Sequence, residues 1–224
     1  MTVISKGSLG PLNFAKRFDM EVLDDKLELV ERSLEAAMDY TAYRDLVGEL
    51  AQGGRASGTV QLGPQIEYTK INDRRMARWD KTFEVPELER LKLEDLKGDL
   101  FLVVLTESWC GDAAASLPIM AKVAEATQSL GLKVLLRDDN PELMDAFLTG
   151  GSRSIPKLIL LDRKNNEILG EWGPRPQIAT QMMEACKREH GTITEAFKGE
   201  LQLWYNKDKG RGILGELMEL LGLE

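Results

Sequence analysis

The sequence has 224 residues, of which 43% are hydrophobic and 29% are charged, a composition typical of a globular protein. Its formal net charge of -8 argues against a sequence-independent nucleic-acid binder, which would carry a basic patch. No apolar run at the N-terminus reaches signal-peptide length, and none elsewhere approaches the roughly 20 residues that span a bilayer, so we expect a cytoplasmic protein with no membrane partner.

Two cysteines and one histidine restrict the chemistry of this chain. Cys110 and Cys186 are too few for a disulfide framework, and we expect both thiols to be reduced in the cytoplasm. Cys186 falls in a predicted helix, where we interpret it as a packing residue. His190 is the only histidine, which excludes a multi-histidine metal site, and we predict no metal ligands. Its position indicates a favourable residue at a helix C-terminus.

The first part of the chain is predicted to be mainly helical. Glycines and a proline make residues 1–22 irregular. Apolar residues at helical spacing predict one helix over residues 24–50, with Asp24 or Asp25 able to cap its start. After a glycine-rich loop, residues 64–97 are mostly helical and strongly charged.

Three arginines of this charged segment, Arg74, Arg75 and Arg78, have a spacing that brings them near one side of a helix. That side is a candidate for binding an anion. A solvated helix face, or one paired with carboxylates of this acidic chain, is the favoured interpretation.

Residues 98–190 alternate strands with helices. Short apolar runs over 101–106 and 132–137 predict buried parallel strands. A helix from about residue 110 to residue 130 joins them, and such a β-α-β unit is right-handed. A second helix starts after Asn140, two strands follow around a tight turn, and a final helix ends at residue 190. The predicted order is therefore β-α-β-α-β-β-α.

The end of the chain predicts two further helices. Thr192 and Glu195 have the spacing of a capping box at the start of the first. The second has an apolar face made of leucines and Ile213. This face is either a dimer interface or a surface that packs on the chain's own core. Packing is the favoured interpretation, and the oligomeric state stays open.

The segment from residue 98 to residue 190 contains five motifs spaced along its predicted elements. In chain order they are Trp109-Cys110-Gly111, Pro118, the turn that ends at Pro141, Ile155-Pro156, and Gly173. Their order and spacing resemble the thioredoxin fold. The whole chain resembles a bacterial branch of thioredoxin-like proteins with a helical N-terminal extension. This resemblance implies an α/β fold with three layers, α/β/α, around a central mixed sheet.

Pattern and resemblance together divide the chain into three parts. These are a helical N-terminal extension over residues 1–97, a thioredoxin-like core over 98–190, and C-terminal helices over 191–224. Helical extensions are therefore predicted on both sides of the core.

Cys110 is the candidate catalytic residue, as a reactive thiol that solvent can reach. The alternative is a small buried core residue, as free cysteines often are. A cysteine at a helix start meets free N–H groups and the positive end of the helix dipole, which stabilise the thiolate and lower the thiol pKa below about 8.5. The resemblance implies that Pro156 is cis and faces the thiol. The backbone of Ile155 would then turn toward an extended partner in a groove beside the sulfur.

Five further residues complete the candidate site, as groove or binding residues. Trp109 is predicted on the exposed rim beside the thiol, next to Gly111. Asp112 is either a modulator of the thiol pKa or a plain carboxylate at a helix start. Gly173 and Arg175 follow the last strand, in a loop that lies near the thiol in the thioredoxin fold. Arg175 either binds a carboxylate or supports a thiolate there, or it simply belongs to a helix-start turn.

The sequence departs from the family pattern at three positions. Ala113 occupies the place of the second cysteine, so Cys110 cannot clear a mixed disulfide by itself. Val104 occupies the place of the buried aspartate that accepts protons in thioredoxins. Asp112 replaces a proline, and its carboxylate would repel a thiolate. We therefore do not expect an efficient dithiol reductase.

Three functions fit this pattern. The first is monothiol thiol–disulfide exchange, in which Cys110 forms a mixed disulfide with a protein, peptide or small-molecule partner. A low-molecular-weight thiol would resolve it, and no other cofactor is expected. The second is a non-catalytic binding module that uses the groove beside Pro156. The third, ranked last, is a metal or iron–sulfur cluster carrier that resembles monothiol glutaredoxins, in which one protein cysteine and a small thiol hold the cluster. The cysteines for any other cluster site are absent from this sequence. Whether the protein is an enzyme stays open.

Overall fold

The computed structural model describes Leu23 and residues 25–224. The irregular segment predicted over residues 1–22 and a cap at Asp24 lie outside these residues. The strands of the sheet are β1 (Leu100–Thr106), β2 (Leu130–Leu136), β3 (Lys157–Asp162) and β4 (Glu167–Trp172). The helices of the described residues are α1 (25–34), α2 (Tyr40–Gln52), α3 (Gly63–Thr82), α4 (Glu87–Glu94), α5 (Gly111–Glu125), α6 (Pro141–Ala146), α7 (Gln177–His190), α8 (Glu195–Asp208) and α9 (Arg211–Leu220).

The sheet is mixed, and its strand order is β2-β1-β3-β4. β1 runs parallel to β2 and antiparallel to β3, which runs antiparallel to β4. Every residue of β3 and all of β1 except Phe101 are buried, as expected for central strands that are covered on both faces. The predicted order β-α-β-α-β-β-α is confirmed for residues 98–190. The fold is α/β, with further helices before and after this segment along the chain.

The prediction of a single helix over residues 24–50 is wrong, because the structure has two helices there, α1 and α2. The break includes Met38, whose backbone N–H and carbonyl both bond to Val134 of β2, at 2.9 and 2.8 Å. The carboxylate of Asp39 then caps α2 by accepting from the N–H of Ala42 at 2.8 Å. β2 is an edge strand with unpaired backbone groups, and this pairing competes with continuation of the helix.

Two predicted boundaries also shift. α5 ends at Glu125 because Leu130 already pairs in β2. At the start of α8 the cap is Thr194 rather than Thr192, since its hydroxyl accepts from the N–H of Phe197 at 3.1 Å.

The helices outside the predicted core pack onto it from both ends. α9 buries Ile213 and Leu217 completely and lies against α5 and β4, so the interpretation that it packs on its own chain is confirmed. From the N-terminal side, α2 packs on α3, and α3 packs on α5. One hydrophobic core therefore joins the outer helices to the sheet. None of the helices described has the length and apolar character needed to cross a membrane.

Candidate functional site

The turn between β1 and α5 positions the thiol. Helix α5 begins at Gly111, so Cys110 occupies the N-cap position. The sulfur of Cys110 accepts a weak hydrogen bond from the N–H of Ala113 at 3.5 Å. Its thiol donates in turn to the carbonyl oxygen of Ile155 at 3.3 Å. The cysteine thus lies at a helix start, as predicted, while its proton is directed at a neighbouring carbonyl group.

Burial reverses the expected direction of the pKa shift of this thiol. Cys110 is only 7% exposed. Burial is the larger cause and the negative charge of Asp112 the smaller one in raising the pKa of the thiol to about 12. The N–H of Ala113 and the charge of Arg175 lower the thiol pKa by less. The prediction of a lowered pKa is therefore wrong, because desolvation of the thiolate outweighs the helix N-terminus.

The segment around Pro156 forms a wall behind the thiol. The Ile155–Pro156 peptide bond is cis, and both residues are buried. The open groove predicted beside Pro156 is thus covered in this structure. Gly173 contributes to the same wall, with φ +112°, and a Cβ atom added to it would lie 2.3 Å from the carbonyl oxygen of Pro156. Only glycine fits at that position.

A cavity of about 680 Å³ opens on the other side of the thiol. Five of the eight predicted site residues line it, namely Trp109, Cys110, Gly111, Asp112 and Arg175. Helices α3 and α8 supply further walls. Sequence reasoning singled out Arg75 as a candidate for binding an anion but did not assign it to the thiol site, and it did not assign Tyr68, Ile71, Phe197, Leu201 or Tyr205. The volume lies in the range of small-molecule pockets. Ile155, Pro156 and Gly173 do not line this cavity.

Asp112 connects the start of α5 to the C-terminal half of the chain. Its carboxylate forms an ion pair with Arg175 at 2.7 Å and accepts a hydrogen bond from the hydroxyl of Tyr205 at 2.9 Å. Burial raises the pKa of this carboxyl group, although both partners act to lower it. The charge of Asp112 raises the pKa of Cys110. The carboxylate that Arg175 binds in this structure is that of Asp112, not of a ligand.

A second buried carboxylate lies before the thiol and was missed by sequence reasoning. Glu107 is fully buried, accepts a short hydrogen bond from the hydroxyl of Ser57, and accepts from the N–H of Asp138 at 2.9 Å. Ser108 continues this network, since its N–H donates to the oxygen of Ser57 at 2.8 Å. Its own carbonyl accepts from the amide of Asn72 in α3 at 3.0 Å. Burial raises the pKa of Glu107.

The remaining residues singled out in the sequence lie in three different environments. Trp109 is half-buried, with the guanidinium of Arg137 lying 5.0 Å from its ring centre. Cys186 is buried outside the cavity, and its thiol donates to the carbonyl of Thr192 at 3.6 Å. His190 is exposed at the end of α7. Across the part of the chain that the structure describes, no group of side chains is arranged to hold a metal ion.

The three arginines of α3 do not form one shared surface. Arg74 is exposed, Arg75 lines the cavity beside the thiol, and Arg78 donates to the amide oxygen of Asn206 in α8 at 2.6 Å. This basic run was the one sequence signal that pointed from α3 toward the site. Nothing local in α8 indicates that it returns to the thiol.

Comparison with known proteins agrees with this fold. A family model described as thioredoxin matches residues 64–188, more than half of the chain, and begins at α3. The crystal structure of PA1234 from Pseudomonas aeruginosa, a protein of unknown function, is 16% identical with a TM-score of 0.59, and the match covers 84% of this chain and 94% of that one. An HIV epitope-scaffold is 15% identical with a TM-score of 0.57, over 86% of this chain and 96% of its own. No curated protein matches. This chain belongs to the thioredoxin family.

Proposed function

We propose that this chain is a monothiol protein in which Cys110 exchanges with a small thiol or disulfide compound that enters the cavity. The observation that carries the proposal is the position of Cys110 in the wall of a pocket of small-molecule size. The peptide-binding strand of the fold, at Ile155 and Pro156, is buried, which favours a small partner over an extended peptide. A cytoplasmic location, without nucleic acid as a partner, belongs to the same proposal.

The exchange is a two-electron transfer in two steps. In the first, the Cys110 thiol loses its proton to solvent, and the resulting thiolate attacks one sulfur of the bound disulfide. The disulfide bond breaks, the mixed disulfide forms, and the leaving thiolate takes up a proton. In the second step, the thiolate of another small thiol attacks the bound half, which restores Cys110 and releases a new small disulfide.

The high pKa makes this thiol selective. With a pKa of about 12, thiolate is scarce at neutral pH, and its greater intrinsic nucleophilicity offsets only part of that loss. The net effect is a reaction with a freely diffusing reagent that is about a hundredfold slower than for an ordinary cysteine. A partner held in the cavity gains from proximity, where effective molarities reach about 10⁵ M or more. Partners that bind the cavity are therefore favoured over those that collide by chance.

Release depends on an outside thiol. Ala113 occupies the resolving position, and Cys186 lies outside the cavity, where its thiol bonds to the carbonyl of Thr192. A small thiol from solution therefore completes each cycle.

Intact-protein mass spectrometry of freshly purified protein tests this proposal. We expect a mass addition that is lost on reduction and maps to Cys110. It should be absent from the Cys110→Ser variant and retained by Cys186→Ser. An adduct that maps to Cys186, or no adduct after incubation with an excess of small disulfides, would contradict monothiol exchange.

A second candidate function is non-catalytic binding of a small molecule in the same cavity. It is favoured by the thiol's hydrogen bond to Ile155 and by the raised thiol pKa, since both keep Cys110 protonated. Calorimetric titration of the Cys110→Ser variant discriminates the two. Undiminished binding of a ligand that forms no adduct with the natural protein supports the binding function.

A further inference from the structure

We propose that the cavity selects an anionic partner, a small thiol or disulfide compound whose carboxylate is bound by Arg75. The covalent step of this inference rests on the proposed function. The selection of charge does not, because it can be measured as binding alone.

The charges around the cavity do not cancel. Five charged side chains line it, namely Arg75, Asp112, Arg175, Glu195 and Lys198. Asp112 pairs with Arg175 at 2.7 Å, and Glu195 pairs with Lys198 at 2.6 Å, so these four are neutral in total. Within the described residues, Arg75 forms no salt bridge, and the carboxylate whose charge acts on it, Asp112, is already paired with Arg175. One positive charge therefore remains at the cavity wall.

Arg75 has few contacts to offset its burial. Its guanidinium donates to the amide oxygen of Asn72, a neutral acceptor on the same helix, at 3.3 Å. Burial lowers the pKa of Arg75, and together with the charge of Arg78 it outweighs the opposing effects of Tyr68 and Asp112. A half-buried guanidinium with a single neutral partner retains unused N–H donors, whose planar fork matches a carboxylate.

The guanidinium of Arg75 lies near the residue that follows the thiol. A terminal nitrogen of Arg75 lies 3.5 Å from where a Cβ atom on Gly111 would sit, which places the side chain beside the first turn of α5. The acidic residue of that turn, Asp112, is paired with Arg175, so a bound anion would offset the charge of Arg75 at the helix N-terminus. Gly111 directly follows Cys110, so a compound anchored at Arg75 has its sulfur end next to the reacting atom.

The other walls define the body of the partner. Tyr68, Ile71, Phe197 and Leu201 present apolar surface from α3 and α8. A hydrated inorganic anion would leave that surface uncovered, whereas the carbon chain of a thiol carboxylic acid would cover it. Charge and apolar surface together indicate an organic carboxylate of modest size.

Three disulfides of similar length and different charge test the inference. They are the anionic dithiodipropionate, the neutral hydroxyethyl disulfide and the cationic cystamine. Rates of adduct formation at Cys110 are read by intact mass on the Cys186→Ser variant. They are normalised to the rates of the same compounds with that variant unfolded in urea. We expect dithiodipropionate to react roughly tenfold or more faster than cystamine after this correction, with hydroxyethyl disulfide between them.

Variants of α3 assign this preference to one residue. Arg75→Gln should reduce the preference for dithiodipropionate over hydroxyethyl disulfide roughly tenfold. Arg75→Lys should keep part of the preference, because it retains the charge and loses the planar fork. Arg74→Gln is the matched control, because Arg74 is exposed on the same helix and does not line the cavity. It should behave as the natural protein does.

The outcomes separate this inference from the proposed function. An unchanged preference in Arg75→Gln overturns the inference and leaves monothiol exchange standing. If no disulfide forms an adduct, monothiol exchange fails, and calorimetric titration of the Cys110→Ser variant with dithiodipropionate decides the charge selection. Binding that weakens roughly tenfold when Arg75→Gln is added supports the inference. Binding that is absent, or indifferent to Arg75, overturns it.

Discussion

Two buried carboxylates flank the thiol, Glu107 before it and Asp112 after it, and the protein holds them by different means. Glu107 is fully buried and accepts from neutral donors, a serine hydroxyl and a backbone N–H. Asp112 pairs with the cation of Arg175 and with the phenol of Tyr205. Burial raises the pKa of both groups.

The two carboxylates also join the site to opposite ends of the chain. The network of Glu107 includes Ser57, from the loop before α3, whereas that of Asp112 includes Tyr205 of α8. Only Asp112 lines the cavity, and its charge raises the pKa of Cys110. The difference teaches that one carboxylate fixes the turn that carries the thiol, while the other tunes the thiol itself.

The largest expected effect concerns the reactivity of Cys110. Because its pKa is raised to about 12, we expect iodoacetamide to alkylate it about a hundredfold more slowly at neutral pH than in the unfolded chain. The rate should rise about tenfold per pH unit as thiolate accumulates. Asp112→Asn should increase the rate severalfold, because a repelling charge is removed. Glu107→Gln should leave it nearly unchanged.

Quantitative mass spectrometry of the peptide that contains Cys110 measures these rates across a pH series. The Cys186→Ser variant controls for reaction at the second cysteine. Equal responses of Asp112→Asn and Glu107→Gln would remove the distinction between the two carboxylates.

A smaller effect is the pH dependence of stability. A carboxyl group whose pKa is raised by folding stabilises the protein at acid pH, and this contribution is lost as pH rises through the raised pKa. Glu107→Gln should therefore cost about 2 kcal/mol near pH 5 and less near pH 8. For Asp112→Asn, the cost near pH 5 should exceed the cost near pH 8 by less, because Arg175 and Tyr205 oppose the rise of the pKa of Asp112.

Urea unfolding at several pH values provides the free energies for this comparison. A cost of Glu107→Gln that grows with pH would show that folding lowers the pKa of Glu107, contrary to its burial.

The smallest expected effect is the difference in stability cost between removing a partner of Glu107 and removing a partner of Asp112. Ser57→Ala removes two buried hydrogen bonds, one to Glu107 and one from the N–H of Ser108, and should cost about 2 kcal/mol. Tyr205→Phe removes one bond, to Asp112, and should cost about 1 kcal/mol. Thermal unfolding measures both costs. Only Tyr205→Phe should also alter alkylation of Cys110, and a change in Ser57→Ala alone would contradict the comparison.

The fold was largely predictable from local pattern. Apolar runs and turn residues predict the strands and helices of residues 98–190, because these signals depend on neighbours along the chain. The break at Met38 was not predictable in this way. Its backbone pairs with Val134, almost a hundred positions away, and the local apolar spacing continues through the break.

The candidate site was predictable in part. The motif at Trp109-Cys110-Gly111 and the distant Arg175 were both assigned, and the structure brings them to one cavity. Glu107 was missed because a glutamate after a strand resembles any solvated turn residue, and its hydrogen-bond partner Ser57 lies 50 positions away. The walls from α8 were missed because their apolar residues have the spacing of ordinary helix packing.

By itself the sequence determined the order of elements, the thiol at a helix start and the alanine, Ala113, where the thioredoxin pattern has a second cysteine. Each of these is a property of neighbouring residues. Tertiary structure alone decided the direction of the pKa shift of Cys110 and the existence of the cavity. Both depend on desolvation and on charges brought together from afar, as with Asp112 and Tyr205, which lie 93 positions apart. The same Cys110 therefore changes from a predicted thiolate at an open groove into a protonated thiol in a pocket wall.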